Sequence, residues 1–249
     1  MPKSRLESEK FWDRESPKWV EQTPLGPLAH SVRRFIKDHT QTVLRKISKN
    51  LPIVDLGTGA NTQGYFDDKE LPRIIGLDIS REMLKRNAIG KKVVALLNKD
   101  LPFKAHSIGL LTSFLAMRYQ TREEHLNLLQ EAGRVLIPGG ALLIVDVPLN
   151  KYDYQYSSFN AKALAQLMES CDFENVSYEG TTLEITLRGP NYSGFGGDYE
   201  TFRTSIAMVV GWVSQKGIRQ ASEELIAEYL IASEDGQITI KTATAPPPF

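Results

Sequence analysis

Between residues 51 and 148, short apolar runs alternate with segments whose apolar positions recur every three or four residues. "LPIVDLG", "RIIGLDI", "KKVVALLN", "SIGLLTSFL" and "GGALLIVDVP" are the apolar runs, and each reads as a strand, the first two as buried ones. "TQGYFDDKE" reads as a short helix or turn, while "SREMLKRNA" and "TREEHLNLLQEAGRVL" read as helices. Buried strands joined by amphipathic helices predict an α/β domain. Its sheet is mostly parallel, covered on both faces, with right-handed crossovers.

The flanks are patterned differently. Residues 5–22 predict a helix carrying Phe11, Trp12 and Trp19, followed by a turn around Pro24 and Pro27. A second helix follows, with Leu28, Val32, Phe35, Ile36, His39, Val43, Leu44 and Ile47 at helical spacing. After Pro148, "YDYQYSSFN" reads as a polar, aromatic loop and "AKALAQLMESC" as a helix. "NVSYEG" and "TTLEITLRG" read as two strands, and "TFRTSIAMVVGWVSQKG" and "SEELIAEYLIAS" as helices. "GQITIKTATA" reads as a last strand; which two of these three strands form an edge hairpin is left open. The expected organisation is an N-terminal helical segment (1–50), a core (51–189) and a C-terminal helical addition with a last strand (190–249), all in one domain.

Composition narrows the classes. Thirty basic residues balance thirty acidic ones in 249 residues, so no net charge draws the chain to nucleic acid or an anionic membrane. The basic positions Arg33, Arg34, Lys37, Arg45, Lys46 and Lys49 of the second helix read as a solvated face, with an acidic substrate or RNA as the sharper alternative. A single cysteine, Cys171, allows no internal disulfide and no thiolate metal cluster, and no histidine spacing suits a metal. The N-terminus has no signal-type apolar core and no run spans a membrane, so a cytoplasmic protein is expected.

The chemistry concentrates at "IVDLGTGANTQGYF". Gly57 and Gly59 follow the first strand, where a parallel sheet places its ligands and where a missing Cβ admits positive φ and close approach. The third position of a dinucleotide fingerprint is Thr62, so that fingerprint fails. Asp55 can fix the loop's amides and oppose an ammonium. Asp78 ends the second strand, 21 residues after Gly57, where a carboxylate accepts both ribose hydroxyls; a helix N-cap before "SREML" is its other reading.

"VDLGTGAN", "IGLDISREML", "LPFKAHSIGLLTSFLAMRY" and "EAGRVLIPGGALLIVD" together resemble class I S-adenosylmethionine-dependent methyltransferases, especially those acting on small molecules. "EKFWDRES" resembles their lead-in helix, and the likeness runs over roughly residues 8–180. It implies a Rossmann-like, mostly parallel seven-stranded sheet with S-adenosylmethionine as cofactor. It further implies that Asp55, Gly57, Thr58 and Gly59 hold the methionine end and that Asp78 binds the ribose. Ile79 and Met83 would cover the adenine, or be ordinary core residues, and Ser113 and Phe114 would line the methionine side.

The chain departs from the family at three places. Leu97 stands where an acid commonly reads the adenine, with Asn98 or Asp100 as substitutes; Gly109 stands where an acid opens the fourth strand; Asn61 replaces a glycine.

A sulfonium is already an activated methyl donor, so no triad or metal is needed, only alignment of a nucleophile. Tyr119 and Asp146 are the catalytic candidates, with Arg118, Tyr154 and Tyr156 as further acceptor contacts. Tyr119 reads otherwise as a packed ring with its hydroxyl in water, Asp146 as a turn cap, and His125 as a surface residue of its helix. The partner implied is a small-molecule acceptor. RNA or protein methylation through the basic helix, and cofactor binding without transfer, are the alternatives. Oligomeric state is not legible.

Overall fold

The computed structural model describes residues 5–22, 27–60, 62–96, 100–146, 160–171, 173–188 and 199–214. Two helices, α1 (Arg5–Gln22) and α2 (Pro27–Leu44), precede the sheet. The sheet strands are β1 (Ile53–Leu56), β2 (Ile74–Asp78), β3 (Lys91–Val94), β4 (Ile108–Phe114), β5 (Leu136–Asp146), β6 (Phe173–Arg188) and β7 (Tyr199–Val213). Helices α3 (Arg81–Arg86), α4 (Arg122–Val135) and α5 (Ala161–Ser170) connect them. The strand order is β3-β2-β1-β4-β5-β7-β6 in one seven-stranded sheet. The first five strands are parallel; β7 runs antiparallel to β5, and β6 to β7.

Successive side chains of a strand point to opposite faces, and this splits the core in two. Val54, Leu56, Leu77, Leu111 and Ile144 pack with Leu128, Leu129 and Ala132 of α4 and with Leu164 and Met168 of α5. Ile53, Ile74, Leu110 and Leu143 pack with Ile36, Val43 and Leu44 of α2. Helix starts follow their caps: Thr121 and Glu124 form a reciprocal capping box on α4, and Ser80 caps α3 through the Met83 amide.

Two expectations fail here. "NVSYEG" and "TTLEITLRG" are not two strands but one, β6. "TFRTSIAMVVGWVSQKG" is not helical; its residues up to Val213 belong to β7, the strand that pairs with both β5 and β6. The C-terminal addition therefore begins with a sheet strand. The cause is burial on both faces: Ile206, Met208 and Val210 fill one core half, Ala207, Val209 and Val213 the other. Such a run has no period-2 contrast, and an apolar octet is then ambiguous between helix and strand. At Gly211 a Cβ would lie 2.6 Å from the Met168 Cε, so the glycine admits α5. The segments read as "SEELIAEYLIAS" and "GQITIKTATA" lie outside the described residues.

Gly109 also has a packing reason. A Cβ there would come within 2.6 Å of the Leu51 Cβ and 3.0 Å of the Ile47 Cγ2. A longer side chain, an acid included, has no room beside Leu51 and Ile47.

Candidate functional site

At the carboxyl ends of β1, β2 and β4 lies a cavity of about 200 Å³, lined among others by Asp55, Gly57, Gly59, Asp78, Met83 and Phe114. The strand register builds its floor. Asp55 is paired with Gly76 of β2 and with Thr112 of β4. Its carboxylate is buried and accepts hydrogen bonds from the hydroxyls of Thr112 (2.8 Å), Thr58 (2.9 Å) and Thr62 (3.0 Å). Its partners are thus hydroxyls of the loop and of β4 rather than loop amides. The Thr58 and Thr62 hydroxyls lie next to each other on the same Asp55 oxygen. Asn87 reaches in from the end of α3, donating to the Thr62 hydroxyl (2.9 Å) and the Gly59 carbonyl (3.0 Å).

The glycine turn is left-handed at both glycines, with φ of +69° at Gly57 and +54° at Gly59. The amides of Gly57 and Thr58 both donate to the Leu77 carbonyl, which ties the turn to β2. Asp78 clamps it further: Oδ2 accepts from the Gly59 amide (2.9 Å) and Oδ1 from the Ser80 amide (2.8 Å). The N-cap itself is Ser80.

Burial pushes the Asp55 carboxyl up to about 6; the three threonine hydroxyls act against this, and the Asp78 charge adds to it. Burial likewise raises Asp78 to about 6, opposed by the Ser80 and Gly59 amides and reinforced by Asp13. Two buried acids beside one cavity, both disfavouring their own ionisation, form a site prepared for a cation or for hydroxyl donors.

Aromatic residues also line the cavity. Tyr65 meets Phe114 edge-on at 5.2 Å, and Trp12 meets Tyr119 edge-on at 4.8 Å. Burial, with the Asp55 charge, pushes the Tyr65 hydroxyl up to about 12. Trp12 comes from α1, which also supplies Ser8 to the lining.

Residues 54–144 match the profile of the methyltransferase domain. The sheet order and this match give the chain the class I S-adenosylmethionine-dependent methyltransferase fold. Over 111 residues it is 36% identical to malonyl-[acyl-carrier protein] O-methyltransferase 1 of Coxiella burnetii, covering 44% of this chain and 38% of that protein. The match thus spans well under half of that relative's length. The methyltransferase domain is also similar to a solved S-adenosylmethionine-dependent methyltransferase of Thermotoga maritima (TM-score 0.54, 18% identity, 82% of this chain and 98% of that one). A third likeness is phosphoethanolamine N-methyltransferase 1 of Haemonchus contortus, solved with phosphoethanolamine and S-adenosylhomocysteine (TM-score 0.58, 14% identity, 93% of this chain and 54% of that one).

Most of the residues singled out in the sequence meet at this cavity. Asp55, Gly57, Thr58, Gly59, Asp78, Ile79, Met83, Phe114 and Tyr119 all line it. Ser113 and Asp146 are not part of the lining. Ser113 is buried within β4, its hydroxyl without a partner among the described residues. Asp146 is wholly buried and accepts from the Arg118 amide at 3.0 Å. Asn98, Leu97 and Asn61, and the tyrosines 154 and 156, lie outside the described residues. Asp100 is an exposed turn residue with φ of +52°. His125 is wholly buried rather than on the surface.

Sequence reasoning missed Ser8, Tyr65, Leu96, Gln120 and Glu124 of the lining, and gave Trp12 no place there. Tyr65 carried a legible signal, being an aromatic seven residues past Thr58 in the same loop. Trp12 carried none, because only the tertiary fold brings α1 to the cavity.

Among the described residues no helix is long and apolar enough to cross a membrane, and no group of three or more His, Cys, Asp or Glu could hold a metal ion.

Proposed function

We propose that this chain is an S-adenosylmethionine-dependent methyltransferase acting on a small-molecule acceptor. One observation carries the reading. Two buried carboxylates, Asp55 and Asp78, flank a left-handed glycine turn at a cavity that Trp12, Tyr65, Phe114 and Tyr119 also line. The residues fit the cofactor. Asp78 holds ribose hydroxyls, Ile79, Met83 and Leu96 cover the adenine, and the Gly57–Gly59 turn gives the methionine end backbone to approach. Asp55 sets that turn through its threonines and supplies negative charge towards an ammonium.

Bound S-adenosylmethionine supplies an activated methyl group on a sulfonium. The protein's part is alignment and exclusion of water. Trp12, Tyr65, Phe114 and Tyr119 form an apolar wall that orients the acceptor, and such positioning accounts for up to ~7–11 kcal/mol of a barrier in favourable cases. Tyr119 lines the cavity, and in this reading its hydroxyl orients an acceptor atom. Asp146 sits behind this wall, so we assign it no contact with the reacting atoms.

Part of the basic stretch 33–49 is already engaged within the chain, which weighs against a nucleic-acid or protein substrate there. Lys37 pairs with Asp67 at 2.8 Å, Arg34 with Asp38 at 3.8 Å, and Lys46 lies over the Trp212 ring. The Haemonchus structure holds phosphoethanolamine, a small acceptor, whereas the Coxiella relative's name gives a malonyl group carried on an acyl-carrier protein. The test is turnover over a panel of small carboxylates, alcohols, phenols and amines, read as S-adenosylhomocysteine release. Release that requires one of them supports the reading. Cofactor binding with no release across the panel makes the chain a binding protein.

A further inference from the structure

The loop joining β4 to α4 presents Tyr119 to the cavity, and it is held from its buried side by two side chains with no place in the lining. The loop is irregular. Leu115 has φ of +59°, a conformation that an unbranched-backbone glycine adopts freely and a leucine does not. Its amide donates to the Val145 carbonyl at 2.8 Å, which extends the β4–β5 ladder by one bond. Met117, Arg118 and Tyr119 then form a single 3-10 turn, closed by the Gln120 amide on the Met117 carbonyl at 3.0 Å.

Both sides of that turn meet a buried polar group. The Met117 carbonyl also accepts from His125 Nε2 at 3.0 Å. A carbonyl can only accept, so Nε2 carries the proton. The Arg118 amide donates to Asp146 Oδ2 at 3.0 Å, and Asp146 Oδ1 lies 3.7 Å from the Arg118 Nε. His125 and Asp146 are both without solvent exposure. The Arg118 guanidinium in turn lies 5.1 Å from the Tyr119 ring centre, while Trp12 meets the same ring at 4.8 Å. Tyr119 is thereby held between a cation fixed by Asp146 and an aromatic edge from α1.

We propose that His125 and Asp146 are positioning residues that clamp the Leu115–Gln120 loop and so hold Tyr119 against Trp12 as one wall of the cavity. Calling that wall the acceptor side rests on the methyl-transfer reading; the clamp itself does not. Each residue fixes one backbone group of the turn, the carbonyl of Met117 or the amide of Arg118, and neither need touch a substrate. Loss of His125 leaves the Met117 carbonyl with the Gln120 amide alone, and loss of Asp146 takes the carboxylate acceptor from the Arg118 amide, so loss of either clamp weakens the hold on the turn and frees it to move.

The test uses Trp12 as a reporter in the full-length chain with Trp19 and Trp212 replaced by phenylalanine. Acrylamide quenching is measured for the parent and for H125L, H125Q, D146A and D146N. Asparagine at 146 can still accept from the Arg118 amide, and glutamine at 125 can still donate to the Met117 carbonyl. The clamp predicts that H125L and D146A raise the quenching constant at least about threefold, because a loosened loop exposes the indole. D146N and H125Q stay near the parent value. Parent-like quenching in H125L and D146A, or D146N as high as D146A, overturns it.

A second measurement needs no substitution. The Arg118 amide of the native chain should exchange with solvent as slowly as the amides of β4, and fast exchange there overturns the proposal even if D146A does not fold. S-adenosylhomocysteine binding is recorded in parallel. Its absence from the parent sinks the methyl-transfer reading while leaving the quenching and exchange results to decide the clamp.

Discussion

Asp13 of α1 accepts a 2.6 Å hydrogen bond from the hydroxyl of Ser80, the residue that caps α3. The same Asp13 oxygen accepts from the Glu82 amide at 3.2 Å. One carboxylate therefore docks a helix from the start of the chain onto the first turn of α3, two residues beyond Asp78. The neighbouring Trp12 packs edge-on against Tyr119 in the cavity lining. Helix α1 thus spans from the β2 side of the site to the β4 side.

Replacing Asp13 by alanine removes both contacts and leaves the α3 start one acceptor short. Hydrogen bonds to a charged group contribute roughly 1.5–3 kcal/mol, so affinity for S-adenosylhomocysteine should fall about tenfold or more. Titration calorimetry on the variant checks this. An unchanged affinity means that α1 does not shape the site.

The raised carboxyls predict a pH dependence of stability. Asp55 stands at about 6 in the folded chain against 3.8 as its ordinary value, so between those limits the folded state holds more protons than the unfolded one. Its contribution is complete below the unfolded pKa and is lost as pH rises through about 6. His125 slopes the other way, since burial lowers its pKa. Asp55→Asn isolates the acid, because threonine hydroxyls can reverse their hydrogen bonds to an amide. Between pH 5 and 7.5 the parent should lose about 1–2 kcal/mol relative to that variant in urea unfolding. Parallel stability curves would show that Asp55 ionises freely.

The same ionisation governs a cationic ligand. Below pH 6 the two acids take up protons, and a sulfonium nucleoside then meets neutral carboxyls. Affinity for S-adenosylmethionine should drop by up to ~10-fold per pH unit for each titrating acid, with protons released on binding near pH 6. Calorimetry in buffers of different ionisation heat reads both quantities. A flat profile from pH 5 to 8 contradicts the prediction.

Gly109→Ala tests the packing account of a site departure. Its Cβ would press on Leu51 and Ile47 at 2.6 and 3.0 Å. Overpacking of this kind costs roughly 1–3 kcal/mol. Thermal unfolding should show a clear fall in midpoint with cofactor affinity intact; an unshifted midpoint means that the corner yields freely.

The five parallel strands and the glycine turn were legible because each strand end carries its own chemistry: Asp55 closes one buried run and Asp78 the next. Ile206–Val213 was misread because its apolar octet is buried on both faces, and nothing local marks it as strand. Asp146 looked like a site residue for a sound reason, since it ends β5 where ligands bind in such sheets. Only the fold shows that its carboxylate turns to the Arg118 amide instead. His125 was misplaced because its neighbours in α4 are Glu123 and Glu124, and one polar residue on a helix says little about which face it takes. Trp12 and Asp13 act over more than sixty residues of separation, beyond the reach of any periodicity.

The central claim is that Asp55 and Asp78 make this cavity a sulfonium-nucleoside site, and calorimetry on the parent and on Asp78→Ala tests it most directly. The account predicts one-to-one binding of S-adenosylmethionine and S-adenosylhomocysteine by the parent, and at least about a 100-fold loss of affinity in a folded Asp78→Ala, as expected when both ribose hydroxyls lose a charged acceptor. A parent that binds neither nucleoside, or a folded variant that binds both as the parent does, would contradict it.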